Sequence, residues 1–317
     1  MPNIALLDDY QNVALSMADW QRLPADLTVT RFQEHLSDLD GLVARLAEFE
    51  IICAMRERTP FPRALLQRLP KLQLLVTAGL KNASIDVKAA TEQGVLVCGT
   101  QVMGHTTVEH TWALILAVAR HIPHDHQAMQ NGQWQTRVGL ELHGKTLGIL
   151  GLGRLGSRVA NIGQAFGMHC IGWSQNLQSQ QAAACGVEYV DKNTLLRRAD
   201  ILTIHLRLGE RSRHLIGAQE LALMQPSTFL INTSRGPIVD EQALLEALLE
   251  RRIAGVGLDV YDQEPLPPEH PLRSLNNVVL TPHTGFVSDS TYRLFYGQML
   301  EAIEAWLAGQ PIRVIQA

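Results

Sequence analysis

Arg235, Glu264 and His283 each stand in a short loop directly after an apolar run. The runs cover residues 228–232, 254–259 and 278–281. The loops read Thr233-Ser234-Arg235-Gly236-Pro237, Val260-Tyr261-Asp262-Gln263-Glu264-Pro265 and Pro282-His283-Thr284-Gly285. An imidazole titrates near neutral pH and can hold or release a proton there. A carboxylate beside it favours the charged ring and fixes its orientation. A guanidinium offers a planar fork of donors to a substrate carboxylate and carbonyl oxygen, and its charge stabilises negative charge developing on that oxygen. Together the three suit hydride transfer at a carbonyl, in which carbon takes hydride and oxygen takes a proton. Singly, each has a plainer reading as a surface cation, a solvated carboxylate or a turn residue.

Hydride transfer needs a carrier, and the middle of the chain holds a place for one. Gly151-Leu152-Gly153-Arg154-Leu155-Gly156 follows the apolar run Thr146-Leu147-Gly148-Ile149-Leu150 and leads into Ser157-Arg158-Val159-Ala160. Strand, glycine turn and helix together turn a weak six-letter pattern into a dinucleotide site. The first glycine allows the tight turn, the second lets backbone approach a pyrophosphate, and the third lets helix and strand pack closely. The helix start presents unpaired N–H groups and partial positive charge to the phosphates.

These residues need elements to position them. With 317 residues the chain has room for about two domains. A first alternating series places strands at residues 4–7, 27–32, 51–55, 72–77 and 95–98, with helices at 39–49 and 62–69. A long apolar helix covers 106–121, with Thr106 or Thr107 as its cap. Pro123 and the polar stretch to Arg137 interrupt the pattern. A second series runs through strands at 146–150, 169–173, 201–205, 228–232, 254–259 and 278–281. Six strands alternating with helices predict a complete doubly wound dinucleotide fold, whose ligands collect at the carboxyl ends of the strands. The last helix, 288–307, is placed against the amino-terminal domain. That gives domains of 1–101 with 290–317, and 102–289.

Composition excludes several classes. The balance of 27 basic and 31 acidic side chains leaves a net charge of −4, without the basic patch that nucleic acid requires. The longest apolar stretch is too short to span a bilayer. The amino terminus meets Asp8 and Asp9 too soon to be a signal peptide. Cys53, Cys98, Cys170 and Cys185 lack metal spacing and read as free thiols in a reducing cytoplasm. His121, His124 and His126 with Asp125 invite a metal reading, but they follow a helix end, where imidazolium complements the dipole; no metal is expected.

Across nearly its whole length the sequence resembles the D-isomer-specific 2-hydroxyacid dehydrogenase family. The matching stretches are residues 142–150 with the glycine turn, Asn232-Thr233-Ser234-Arg235-Gly236 with Val239-Asp240, Gly257-Leu258-Asp259-Val260 with Glu264-Pro265, and Thr281-Pro282-His283-Thr284-Gly285. The resemblance implies an α/β fold of two doubly wound parallel-sheet domains, a Rossmann cofactor domain inserted into a flavodoxin-like substrate domain. It implies NAD or NADP as cofactor and Arg235, Glu264 and His283 as the catalytic trio. Arg154 and Leu155 would face the pyrophosphate and Asp259 the nicotinamide carboxamide, with further cofactor contacts from Ser174, His205, Thr233 and Gly285. A homodimer through the cofactor domain is implied, with Gly132-Gln133-Trp134 resembling the family's dimerisation arm. Some relatives act as nicotinamide-responsive corepressors and keep the trio; no disordered or basic extension here supports that role. Related formate dehydrogenases carry Gln in place of Glu264, so Glu264 favours hydroxy acids.

Two stretches depart from the family pattern. Ile171-Gly172-Trp173 is followed by Ser174-Gln175-Asn176, without the acidic residue that binds the ribose hydroxyls and repels a 2′-phosphate. No arginine stands there either, which predicts tolerance of both cofactors with modest preference. Val97-Cys98-Gly99-Thr100-Gln101 replaces the usual Asn-Thr-Pro at the first domain crossing. On the substrate side, backbone N–H groups of Ala78, Gly79 and Leu80 are candidates for a substrate carboxylate, and Arg56 for a second anionic group, with a small polar 2-oxo acid expected in the interdomain cleft. His110 and Trp112 read as packing or hinge residues.

Overall fold

Apolar runs of four or five residues form most of the strands, and most are buried on both faces, as parallel strands covered by helices must be. The computed structural model describes residues 3–316. Its contacts divide the chain into a unit of residues 1–103 with 287–317 and a unit of residues 104–286, where the sequence sets the crossings at 101 and 290.

The first unit holds five parallel strands: β1 (Asn3–Leu6), β2 (Thr28–Arg31), β3 (Ile51–Ala54), β4 (Leu74–Thr77) and β5 (Leu96–Gly99). Their order is β2-β1-β3-β4-β5, the flavodoxin-like arrangement. Leu46, Ile52, Phe61, Leu65, Leu66 and Leu75 are fully buried in one core cluster of this unit. The helix Asp289–Leu307 belongs here, capped by Ser288 and burying Tyr292, Phe295, Tyr296, Met299 and Leu300.

The second unit holds β6 (Thr146–Leu150), β7 (His169–Trp173), β8 (Glu188–Tyr189), β9 (Ile201–Ile204), β10 (Phe229–Asn232), β11 (Gly255–Leu258) and β12 (Val278–Leu280). All are parallel, in the order β12-β11-β10-β9-β6-β7-β8. The strand order reverses at β6, so the glycine turn leaves the sheet at its switch point, where such sheets bind ligands. The two-residue β8 is absent from the sequence-based series because its exposed Glu-Tyr pair carries no apolar run.

Helix α1 (His105–Ala119) packs Val108, Trp112, Leu114 and Ile115 into the second unit's core. It begins one residue before the predicted caps: Gly104 is the N-cap, without a side-chain bond, and Thr106 and Thr107 lie in the first turn. The stretch that the sequence reads as an interruption is helical over Ile122–Gln130. Pro123 sits in its first turn, where a missing N–H costs nothing. The four cysteines are free thiols. Among the described residues no cluster of His, Cys, Asp or Glu is placed to hold a metal, and no helix is long and apolar enough to cross a membrane.

Candidate active site

Helix α2 (Arg154–Ala165) starts at Gly153 with no side-chain cap, which leaves the N–H groups of its first turn without helical acceptors. Gly151 has φ +105°, and a Cβ there would lie 2.8 Å from the carbonyl carbon and oxygen of His205. A Cβ on Gly156 would collide with the carbonyl oxygen of Gly151. At Gly153 the same atom would meet nothing within 4 Å. Two glycines are thus required by the fold of the turn, and the middle one faces open space at the helix start. That combination fits a pyrophosphate, and Gly151, Gly153 and Gly156 with the N–H groups of Arg154 and Leu155 would hold it. His205 closes the back of the turn: its N–H donates to Leu150 at 2.8 Å and its Nε2 lies 3.0 Å from the Thr203 hydroxyl. Burial pushes its imidazole down to about 4, so the ring is neutral at neutral pH.

Further along the sheet, the loops after β11 and β12 bring a carboxylate and an imidazole together. Glu264 and His283 meet directly, with Nδ1 2.5 Å from Oε2. The other carboxylate oxygen of Glu264 accepts the backbone N–H of Tyr261 at 2.9 Å. One oxygen is therefore anchored to backbone while the other orients the ring, and the ring's Nε2 has no partner among the described residues. His283 has φ +52° and its N–H reaches back to Thr281 at 3.0 Å, a tight turn that throws the imidazole out of the loop. Phe286 packs edge-on against it at 5.7 Å.

Arg235 leaves the end of β10, one strand over from the Glu264 loop. Asn232 ties this corner: its Nδ2 donates to the Arg235 carbonyl at 2.9 Å and its Oδ1 accepts the Ser234 N–H at 3.0 Å. Gly236 then presses backbone to backbone against Tyr261 and Asp262, with no room for a Cβ. The loop that carries the guanidinium and the loop that anchors Glu264 are thereby in direct contact.

Asp259 lies beneath these loops, 1% exposed. Its Oδ1 accepts the Thr281 hydroxyl at 2.6 Å and the Thr284 N–H at 2.8 Å, and lies 3.2 Å from His110 Nε2; its Oδ2 accepts the Gly285 N–H at 2.8 Å. Burial alone would raise this carboxyl, but the bonds from His110 and Thr281 hold it below the usual carboxylate range. Asp259 and Gly285 thus serve first to pin the His283 loop to β11. His110, read from sequence as a packing or hinge residue, is part of this network, and its Nε2 also lies 2.8 Å from the Thr281 hydroxyl. The available signal was a polar side chain on a largely apolar helix, which must find a partner when it packs. Thr233 is tied to the same helix through the Thr111 hydroxyl at 2.8 Å. Ser174 borders a cavity between the loops that follow β7 and β9.

In the first unit the substrate-side candidates form one corner. Arg56 has φ +56°, and its Nη1 is 3.5 Å from the Ala78 carbonyl. Gly79 has φ +96°, and a Cβ there would meet that Nη1 at 2.5 Å. The expected trio of backbone donors is corrected by the hydrogen bonds. Ala78 gives its N–H to Ala54 at 3.0 Å and Gly79 gives its N–H to the Thr100 hydroxyl at 2.8 Å. Both are already spent, one on β3 and one on the Thr100 side chain, and Leu80 supplies the one donor of the three left in the loop.

Fold and site together define a nicotinamide-dependent dehydrogenase. Residues 112–285 match the family described as D-isomer specific 2-hydroxyacid dehydrogenase, NAD binding domain. A glyoxylate reductase of Aeropyrum pernix is 45% identical over 237 residues, covering 72% of this chain and 71% of that one. A D-3-phosphoglycerate dehydrogenase of Methanocaldococcus jannaschii is 37% identical over 288 residues, 90% of this chain but 53% of the longer relative. The crystal structure of a phosphoglycerate oxidoreductase from Vibrio cholerae superposes with a TM-score of 0.93 at 35% identity, covering 98% of this chain and 100% of that one. The chain belongs to the D-isomer specific 2-hydroxyacid dehydrogenase family. It is an NAD(P)-dependent oxidoreductase of that family.

Proposed function

We propose that this enzyme interconverts a small 2-oxo acid and its D-2-hydroxy acid, with His283 as the acid and base, Glu264 as its orienting partner and Arg235 as the binder of carboxylate and carbonyl. The contact between Glu264 and His283, anchored by the Tyr261 N–H, carries this reading. Glu264 occupies Nδ1 and leaves Nε2 to face the substrate oxygen. In the reducing direction the carbonyl carbon receives a hydride, which the nicotinamide supplies when bound. His283 Nε2 gives its proton to the oxygen, and Glu264 stabilises the imidazolium that must form beforehand. Arg235 pairs with the carboxylate and draws the carbonyl oxygen, lowering the energy of the charge that builds there. Oxidation runs the same steps in reverse, with Nε2 taking the hydroxyl proton. Arg56 and the Leu80 N–H are the substrate-side anion contacts on this reading.

Glyoxylate and hydroxypyruvate are the substrates proposed first; glyoxylate reduction is the activity named for the Aeropyrum pernix relative. We further assign a cytoplasmic homodimer joined through the cofactor unit. Ile122, Met129, Trp134 and Val138, between 53% and 94% exposed, form a run of large apolar side chains that a second copy would cover. A panel of 2-oxo acids assayed by NADH and NADPH absorbance tests the activity. Turnover that His283→Ala lowers by several orders of magnitude is expected. Absence of turnover on every acid with both cofactors, or a His283→Ala variant of near-normal kcat, refutes it.

A further inference from the structure

A cavity of about 580 Å³ opens beside the glycine turn, between the loops that follow β7 and β9. The β7 side contributes Ser174, Gln175 and Asn176; the β9 side contributes Arg207, Glu210 and Arg211. β7 and β9 flank β6 on either side, so this is where the adenosine half of a dinucleotide must lie once its pyrophosphate rests on the helix start. We infer that the cavity is a 2′-phosphate site, and that the enzyme prefers NADP(H) over NAD(H) through Arg207 and Arg211. The inference rests on the dinucleotide reading of the glycine turn.

Three observations carry it. The β7 loop presents only neutral side chains, so no carboxylate there binds the ribose diol or repels a phosphate. Neither arginine has an ion-pair partner among the described residues, so neither guanidinium is already committed. The loop that bears them is built: Ser212 is 9% exposed, its hydroxyl donates to the Arg207 carbonyl at 2.6 Å and accepts the Gly209 N–H at 2.9 Å. Gln175 Nε2 donates to the Arg211 carbonyl at 3.1 Å and ties the two walls together. No arginine directly follows β7; the sheet brings two from a loop some thirty positions further on. Glu210 is the one carboxylate of the lining, and two cations against one anion leave a net positive site for a dianionic group.

Calorimetric titration with 2′,5′-ADP and with 5′-AMP isolates the phosphate from the nicotinamide, and NADPH and NADH fluorescence titrations repeat the comparison on whole cofactors. The phosphorylated ligand of each pair is expected to bind at least about tenfold tighter at low salt, with the ratio shrinking as ionic strength rises. R207A/R211A brings both ratios to within about twofold of unity, and E210Q widens them. Thermal melting of each variant checks that it is folded. Parent ratios near unity, an NADH preference, or ratios that survive in a folded R207A/R211A variant overturn the inference. Failure of all four ligands to bind would instead sink the dinucleotide reading, and this inference with it.

Discussion

Replacing Gly236 by alanine would push a methyl group into the seam between the loops that carry Arg235 and Glu264. The new Cβ would stand 2.6 Å from the Asp262 nitrogen and closer still to the Tyr261 carbonyl, all of it backbone. Ordinary contact begins near 3.4 Å, so the loops must separate by about 1 Å. Tyr261 is the residue whose N–H anchors Glu264, so the shift passes directly to the Glu264–His283 pair while Arg235 stays with β10. A misplacement of about 1 Å costs on the order of 10²-fold in rate, and overpacking of this kind costs about 1–3 kcal/mol of stability. Steady-state kinetics on the best 2-oxo acid should show kcat/KM lowered by about that factor. The dissociation constant of the cofactor serves as the internal control, since the glycine turn is separated from β10 by β9. A folded Gly236→Ala enzyme with kcat/KM within about threefold of the parent would refute the claim that this seam sets the register of the trio.

Glu264→Gln keeps an acceptor for the Tyr261 N–H but removes the charge beside His283; kcat should fall by about 10²-fold with little change in melting temperature, and an unchanged kcat excludes the assigned partnership. Gly156→Ala should abolish cofactor binding by fluorescence titration, because its Cβ has no space against the Gly151 carbonyl; retained binding would show that the turn is not the site. His205, pushed down to about 4 when folded, binds its proton more readily in the unfolded chain. Stability should therefore fall as pH drops from about 6.5 to about 4, by at most about 3 kcal/mol, and urea titrations should show that slope reduced in His205→Gln. Asp259→Asn leaves one of the N–H groups of Thr284 and Gly285 facing another donor; a loss of about 2–3 kcal/mol and of most activity is expected, and a variant as stable and active as the parent would remove Asp259 from the site.

Much of this was legible because parallel sheets convert sequence order into place. An apolar run followed by a polar loop marks a strand end, and every strand end of a parallel sheet opens on one edge. The positions of Arg235, Glu264 and His283 on that edge follow from this rule, as does the glycine turn at β6. Contacts made across loops were not legible. Nothing in the spacing of Gly236 shows that it abuts Tyr261, or that His110 on an apolar helix reaches Asp259 and Thr281. The hydrogen bonds that occupy Ala78 and Gly79 depend on where Ala54 and Thr100 fall in neighbouring segments. Pro123 and the Glu188–Tyr189 strand were missed for local reasons: a proline opens a helix as readily as it breaks one, and a two-residue edge strand has no periodicity to read.

The loop after β11 shows how one short segment supports two opposite uses of a carboxylate. Asp259, at its start, is buried and saturated by donors from α1 and from the His283 loop, so its charge is spent on holding two strand ends together. Glu264, five residues on, has a side chain 32% exposed and binds one backbone N–H and one imidazole. The first cannot exchange partners without loosening the loop, whereas the second can follow the ring's charge as a proton comes and goes. Both tasks need a negative charge, and burial decides between them: the rigid carboxylate fixes where His283 stands, so that the accessible one has only to set its orientation and charge.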